Sequence, residues 1–245
     1  MPLPADWIVP DWPAPASVRA FVTTRNGGVS IGPYASLNLG LRVADDPAAV
    51  ARNRERVRAA LPADPKWLQQ VHGTTVVDAA TVDGQPIADA AFTRQAQVVC
   101  AVQIADCLPV LLCGTSGDLV AAAHAGWRGL AAGVIERTVE AMSVPASELI
   151  AWLGPAIGPE AFEVGEDVLR GFTAGDSQSA SAFAPRREGK WLADLFALAR
   201  RRLDRLGVSR VYGGGVSTYS DPQRFFSHRR DGVTGRQAAF VWYQR

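Results

Sequence analysis

The chain has 245 residues, 48% of them apolar, and 25 basic against 24 acidic residues leave a net charge of +1. That is enough apolar material for one substantial core, with no global field to draw the protein to nucleic acid or a membrane. Three cysteines form no disulfide framework, and the N-terminus has neither a basic n-region nor an apolar h-region, so a cytosolic protein with reduced thiols is expected.

In chain order, Val18–Thr23 reads as a first strand running into the tight turn Asn26-Gly27-Gly28. Asp45-Asp46-Pro47 starts a helix that buries Val50, Val57 and Leu61. Short strands follow at 66–71 and 74–78, with His72-Gly73 at the turn between them. Gln97–Ile104 is a strand, Asp106-Cys107 a turn, and Pro109–Cys113 and Leu119–Ala123 two further strands. His124-Ala125-Gly126 passes into a helix over 127–142, with Leu130, Val134 and Val139 for its buried side. Leu149–Leu153 is a strand closed by Gly154-Pro155, and Ala174–Ser181 is a surface loop. An amphipathic helix spans Trp191–Leu206, with Arg200, Arg201, Arg202 and Arg205 on its solvated face and Gly207 ending it. Strands at Val211-Tyr212 and Ala238–Trp242 complete the chain. Strand–helix–strand order predicts a parallel crossover and the tight turns predict antiparallel pairs. The expected fold is therefore α/β, a single domain over 1–245 with mixed β-sheets flanked by helices.

His72, Cys107 and His124 each follow a short apolar run, where α/β proteins gather sites from distant sequence. The chain has three histidines in all, and two of them stand at such positions. Two imidazoles and one thiolate suit zinc with an open fourth position, the catalytic rather than the structural pattern. The alternative is two loop histidines and a small apolar core cysteine. Cys100 and Cys113 lie inside apolar runs and read as buried structural thiols. His228 is a lone histidine in a basic loop. Gly126-Trp127-Arg128-Gly129 opens a helix, so an anion can dock on its N–H groups with Arg128 adding donors; the alternative is that the glycines only permit a sharp passage. Nucleotide-binding glycine fingerprints are absent, and Gly213-Gly214-Gly215 reads as a turn or close-packing feature.

Several segments together carry a resemblance: Thr24-Arg25-Asn26-Gly27-Gly28-Val29-Ser30, Ser36-Leu37-Asn38-Leu39-Gly40, Gln70-Val71-His72-Gly73, Ala105-Asp106-Cys107-Leu108-Pro109-Val110 and Ala123-His124-Ala125-Gly126-Trp127-Arg128-Gly129. Gly154-Pro155-Ala156-Ile157-Gly158 and Phe225-Phe226-Ser227-His228-Arg229-Arg230-Asp231-Gly232 extend it. From about residue 18 onward the chain resembles the YfiH-like, laccase-domain family, also described as multicopper polyphenol oxidases or purine nucleoside phosphorylases. The resemblance implies zinc on His72, Cys107 and His124; from the residues themselves, Cys107 and His124 are also the candidate catalytic residues. It implies phosphorolysis of adenosine, inosine, guanosine and methylthioadenosine, with some adenosine deamination. In some bacterial members it implies amide hydrolysis that edits a cell-wall precursor. The family pattern has tyrosine where this chain has His228.

Chemistry arbitrates among these implications. A copper oxidase needs a trinuclear cluster ligated almost wholly by imidazoles, which three histidines cannot build; a single copper on two histidines and a cysteine remains feasible but reduces no oxygen to water alone. For phosphorolysis, Arg25, Asn38 and Arg128 are the candidates to position phosphate beside the purine nucleoside, and no residue presents itself as the acid that protonates the base. The alternatives are a metal-free cysteine hydrolase, with Cys107 as nucleophile and His124 or His72 as base, and a non-catalytic metal- or nucleoside-binding module.

Overall fold

The computed structural model describes residues 3–244. Strand β1 (Val18–Val22) opens the fold, and helix α1 (Pro47–Arg58) starts where its acidic cap predicts, the Asp46 carboxylate accepting from the Ala48 N–H. Strands β2 (Pro65–Lys66) and β3 (Val76–Asp78) are shorter than expected, and between them only Gln69 bridges to another segment, at Ile87. The reason is local: Val71, His72 and Gly73 give their N–H groups to the Asp89 carboxylate instead of to a ladder. Strand β4 (Ala90–Thr93), unread in the sequence, follows.

The central strands β5 (Val99–Ile104), β6 (Leu108–Gly114) and β7 (Val120–Ala125) lie close to expectation, except that β7 runs on through His124. The expected helix over 127–142 is two helices, α2 (Trp127–Ala132) and α3 (Val134–Met142), divided by Gly133 at φ +99°. Strand β8 (Leu149–Leu153) is as read, and β9 (Glu163–Gly165) and α4 (Glu166–Thr173) come next. The loop after α4 closes in a short 3-10 turn, Ser177–Ala182. Strands β10 (Phe183–Arg187) and β11 (Lys190–Ala193) form a hairpin. Helix α5 (Leu195–Arg205) therefore starts later than its apolar pattern suggested, because the Asp194 side chain caps it through the Phe196 and Ala197 N–H groups. Strand β12 (Arg210–Gly213), helix α6 (His228–Asp231) and strand β13 (Gln237–Tyr243) complete the order.

The strands form a six-stranded sheet β12-β8-β6-β7-β4-β3, a four-stranded sheet β1-β13-β5-β2 and a small sheet β10-β11-β9. Both larger sheets are mixed. Strands β7 and β8 flank β6 and both run antiparallel to it, so they are parallel to each other, joined by the crossover that α2 and α3 supply. Side-chain alternation sorts the core into layers. Cys100, Val102 and Ile104 of β5 meet Leu111 and Cys113 of β6 and Val120 and Ala122 of β7 between the two large sheets. The opposite face of the six-stranded sheet packs on α3, α4 and α5 through Val134, Ile135, Phe172, Leu195 and Leu203. The opposite face of the four-stranded sheet, with Val99, Ala101 and Phe240, is covered by Val57 of α1, Leu61 and Trp7.

Of the α5 arginines only Arg205 is exposed; Arg200, Arg201 and Arg202 are half-buried and tied to neighbouring segments. Arg200 donates to the carbonyls of Val211 and Gly213 at 3.0 and 2.6 Å, Arg202 pairs with Glu136 at 2.7 Å, and Arg201 and Arg205 both meet Asp176. Gly213 sits at φ +70°, and a Cβ there would lie 2.5 Å from the Leu153 carbonyl oxygen, so close packing explains that glycine, while Gly214 and Gly215, at φ +80° and +91°, serve the left-handed turn that follows. Among the described residues no helix is long and apolar enough to cross a membrane.

Candidate metal centre

Asp89, which immediately precedes β4, organises the centre although it is not a donor itself. It is fully buried, and its carboxylate accepts the N–H groups of Val71, His72 and Gly73 at 3.1, 2.9 and 2.7 Å. The same carboxylate accepts Nδ1–H of His124 at 2.8 Å, while its backbone carbonyl accepts the His124 N–H at 2.7 Å. One side chain thus fixes both the loop that carries His72 and the ring of His124. With Nδ1 held, His124 turns Nε2 to the other side, the orientation a metal-binding imidazole needs.

Two residues here adopt left-handed backbone without being glycine, His72 at φ +61° and Asp106 at φ +89°. Such conformations cost about 1–3 kcal/mol and persist only where neighbours over-determine them. For His72 those neighbours are the Asp89 contacts. Asp106 accepts from Thr218 Oγ1 and the Arg229 N–H, both at 2.7 Å, and its carbonyl accepts from the Ile157 N–H at 2.9 Å. This anchored turn delivers Cys107. Pro109 of β6 lies opposite His124 of β7, so the turn before β6 and the end of β7 share one edge of the sheet.

The donor atoms of His72, Cys107 and His124 all lie within 4.8 Å of one another. Cys107 Sγ is 3.6 Å from His72 Nε2. Bonds of about 2.0–2.3 Å at a tetrahedral angle require roughly that separation. Burial opposes a charged sulfur, but His124 and His72 overcome it and pull the Cys107 thiol down to about 6. Burial likewise opposes an imidazolium at His124, yet the Cys107 sulfur and Asp89 push it up to about 9. Thiolate and imidazolium stabilise each other. Cys113, by contrast, is pushed up to about 12 by burial, and burial raises Cys100 further still. These two are core thiols.

Glycines leave the donors room. A Cβ on Gly126 would lie 2.8 Å from His72 Cδ2 and 2.9 Å from Cys107 Sγ, and one on Gly129 would lie 2.8 Å from the Gly73 carbonyl oxygen. The three residues line a cavity of about 530 Å³ that also exposes Arg42, Arg54, Arg128, Arg236, Gln70, Gln103 and His228 and, among the described residues, has no aspartate or glutamate in its lining. Arg54 lies 4.0 Å over the Trp67 ring and donates Nε–H to the Leu39 carbonyl at 3.0 Å, and burial pulls its guanidinium down to about 10. Burial lowers Arg236 as well.

Of the residues proposed from the sequence to hold phosphate, Arg128 lines this cavity and the other two do not. Arg25 donates to the carbonyls of Ala35 and Pro222 at 2.9 and 3.1 Å and lies over the Phe226 ring, shaping the loop after β1. Asn38 is fully buried; it accepts from the Gly40 and Arg236 N–H groups at 2.9 and 2.8 Å and donates to Asp45 at 2.8 Å. It positions two lining residues from behind. Asp89, Arg54 and Arg236 escaped the sequence reading. Only Asp89 left a signal, a lone carboxylate in the otherwise apolar run Ile87-Ala88-Asp89-Ala90-Ala91, since carboxylates are seldom buried without partners.

A mixed α/β fold that brings two imidazoles and a thiolate together at a cavity wall defines a class of protein with a candidate three-donor metal site. Residues 19–244 match the family model described as multi-copper polyphenol oxidoreductase laccase. The chain is 55% identical over 241 residues to a purine nucleoside phosphorylase of Pseudomonas aeruginosa, covering 97% of this chain and 98% of that one. It is 50% identical over 241 residues to the purine nucleoside phosphorylase YfiH of Escherichia coli, covering 96% and 98%. The crystal structure of a Neisseria meningitidis protein is similar at a TM-score of 0.95 and 53% identity, covering 98% of this chain and all of that one. The chain belongs to the YfiH-like, laccase-domain family.

Proposed function

We propose that the chain is a zinc-dependent purine nucleoside phosphorylase acting on adenosine, inosine, guanosine and methylthioadenosine, with adenosine deamination as a side activity. One observation carries the reading: a His–Cys–His donor set opens on a cavity whose other charged lining groups, among the described residues, are guanidiniums, with no carboxylate there to repel phosphate. The names of the relatives support it. Zinc on His72, Cys107 and His124 would supply Lewis acidity at an open position. The donor chemistry fits zinc better than an oxygen-reducing copper cluster, because three histidines in all leave too few imidazoles.

The chain's own groups account for the rest. Phosphate must be held at the anomeric carbon while positive charge grows on the sugar ring. Arg128 is the candidate from the sequence, and Arg54 and Arg236 join it, since their half-buried guanidiniums regain through an anion the solvation that burial removes. Asp89 keeps both histidine donors in register. A reduced Cys107 suits the cytoplasm, where we place the protein. The test is release of free base from inosine by zinc-loaded protein with and without phosphate. Phosphate-dependent release supports the reading, and release unchanged by phosphate turns it towards hydrolysis.

A second reading is favoured by one specific feature. Asp89, His124 and Cys107 stand in the order orienting carboxylate, base and thiolate, which is also the arrangement of a metal-free cysteine hydrolase such as an amidase. That reading gives His72 no chemical task, whereas the zinc reading uses every donor, so we rank it second.

A further inference from the structure

We propose that His228 is the catalytic acid that protonates the departing purine; this rests on the phosphorolysis reading and supplies the proton donor that the sequence did not reveal. A purine expelled as an anion is a poor leaving group, so a positioned acid at its N7 lowers the barrier. Among the described residues, histidine, cysteine and arginine are the only titratable types in the cavity lining. The arginines keep their protons, and the zinc reading takes His72, Cys107 and His124 as ligands. His228 alone is left, and an imidazole is the side chain suited to exchanging a proton near neutral pH.

Its placement is built, not accidental. The backbone N–H of the next residue, Arg229, is held at 2.7 Å by Asp106, the residue before Cys107. The same short helix is capped by Ser227, whose Oγ accepts from the Arg230 N–H at 3.2 Å. His228 Nδ1 lies 2.7 Å from the Gly232 carbonyl oxygen. A carbonyl only accepts, so Nδ1 carries a hydrogen and Nε2 is the nitrogen free to serve the substrate. Gly232, at φ +68°, bends the backbone back into this contact. The ring is otherwise exposed, so water can restore its proton after each turnover.

The step balances. A phosphate oxygen bonds to C1′ as the C1′–N9 bond breaks, and that bond's electron pair goes to the purine. The Nε2 proton of His228 passes to N7, leaving a neutral imidazole that water reprotonates. The products are ribose 1-phosphate and the neutral base.

Nucleosides methylated at N7 test this directly, because they carry a positive charge and leave without needing a proton. Zinc-loaded wild type and His228→Gln would be compared on inosine and on 7-methylinosine in phosphate. We expect kcat on inosine to fall by about 10²–10⁴-fold, the usual contribution of a general acid. The loss on 7-methylinosine should stay within about threefold, which also shows that the variant folds and keeps its metal. In His228→Ala, added imidazole should restore part of the inosine turnover. Equal loss on both substrates without imidazole rescue, or no loss on inosine, would overturn the role of His228 alone. A wild type that releases no base from either nucleoside would instead overturn the phosphorolysis reading, and this role with it.

Discussion

At Asp89 a single carboxylate collects three backbone N–H groups and one imidazole N–H with no exposure to water. Removing it strands four donors and frees both histidines, so Asp89→Ala should cost about 3–5 kcal/mol of stability, the scale for breaking a buried charged contact. Asp89→Asn should fold better yet weaken zinc binding by about 10–100-fold, as losses behind a metal ligand do. Thermal melts and competitive zinc titration check both, and unchanged zinc affinity in Asp89→Asn would count against the positioning role. The thiols offer a second test. Cys107 is held near 6, below its ordinary value, so metal-free protein carries the thiolate above about pH 6 and loses it as pH falls through that value. Alkylation should label Cys107 alone at pH 7, slow below pH 6, and be blocked by zinc, while Cys100 and Cys113 stay unlabelled; intact-mass measurements read this. The convergence of His72, Cys107 and His124 was legible in the sequence because each follows an apolar run. Asp89 was not, because its partners at 71–73 and 124 are neighbours only after folding.

Among the elements, short apolar runs bounded by turn residues located β1, β5, β6, β8 and β13 to within about two residues. The misreadings have identifiable causes. A helical pattern over 127–142 is interrupted by one left-handed glycine, and the pattern from Trp191 is cut at Asp194, where a cap overrides apolar spacing. The passage from β7 into α2 is where element geometry meets the site. Gly126 has an ordinary extended backbone at φ −63°, so its constraint is space, not torsion. Gly126→Ala should therefore disturb His72 and Cys107 and lower zinc content sharply while circular dichroism stays near wild type. Gly133→Ala should do the reverse, costing about 1–2 kcal/mol for a left-handed alanine and leaving zinc content intact. Equal zinc loading in the two variants would contradict this division.

At the scale of the whole molecule, two large mixed sheets face each other, helices cover their outer faces, and the donors gather at the shared edge of β6 and β7 beside an arginine-lined cavity. The class of fold was legible from the order of strands, helices and tight turns. Which arginines reach the cavity was not, since Arg54 and Arg236 come from opposite ends of the chain and Arg25, close to one of them in sequence, serves its own loop. We propose that His72, Cys107 and His124 hold a zinc ion on which activity depends. Cys107→Ser tests it most directly, with zinc stoichiometry and phosphate-dependent base release measured on the same untagged sample. A serine hydroxyl is a poor ligand at neutral pH, so zinc content and turnover should fall together, and excess zinc should restore part of both. A fully zinc-loaded but inactive Cys107→Ser protein would contradict the account and make Cys107 a nucleophile.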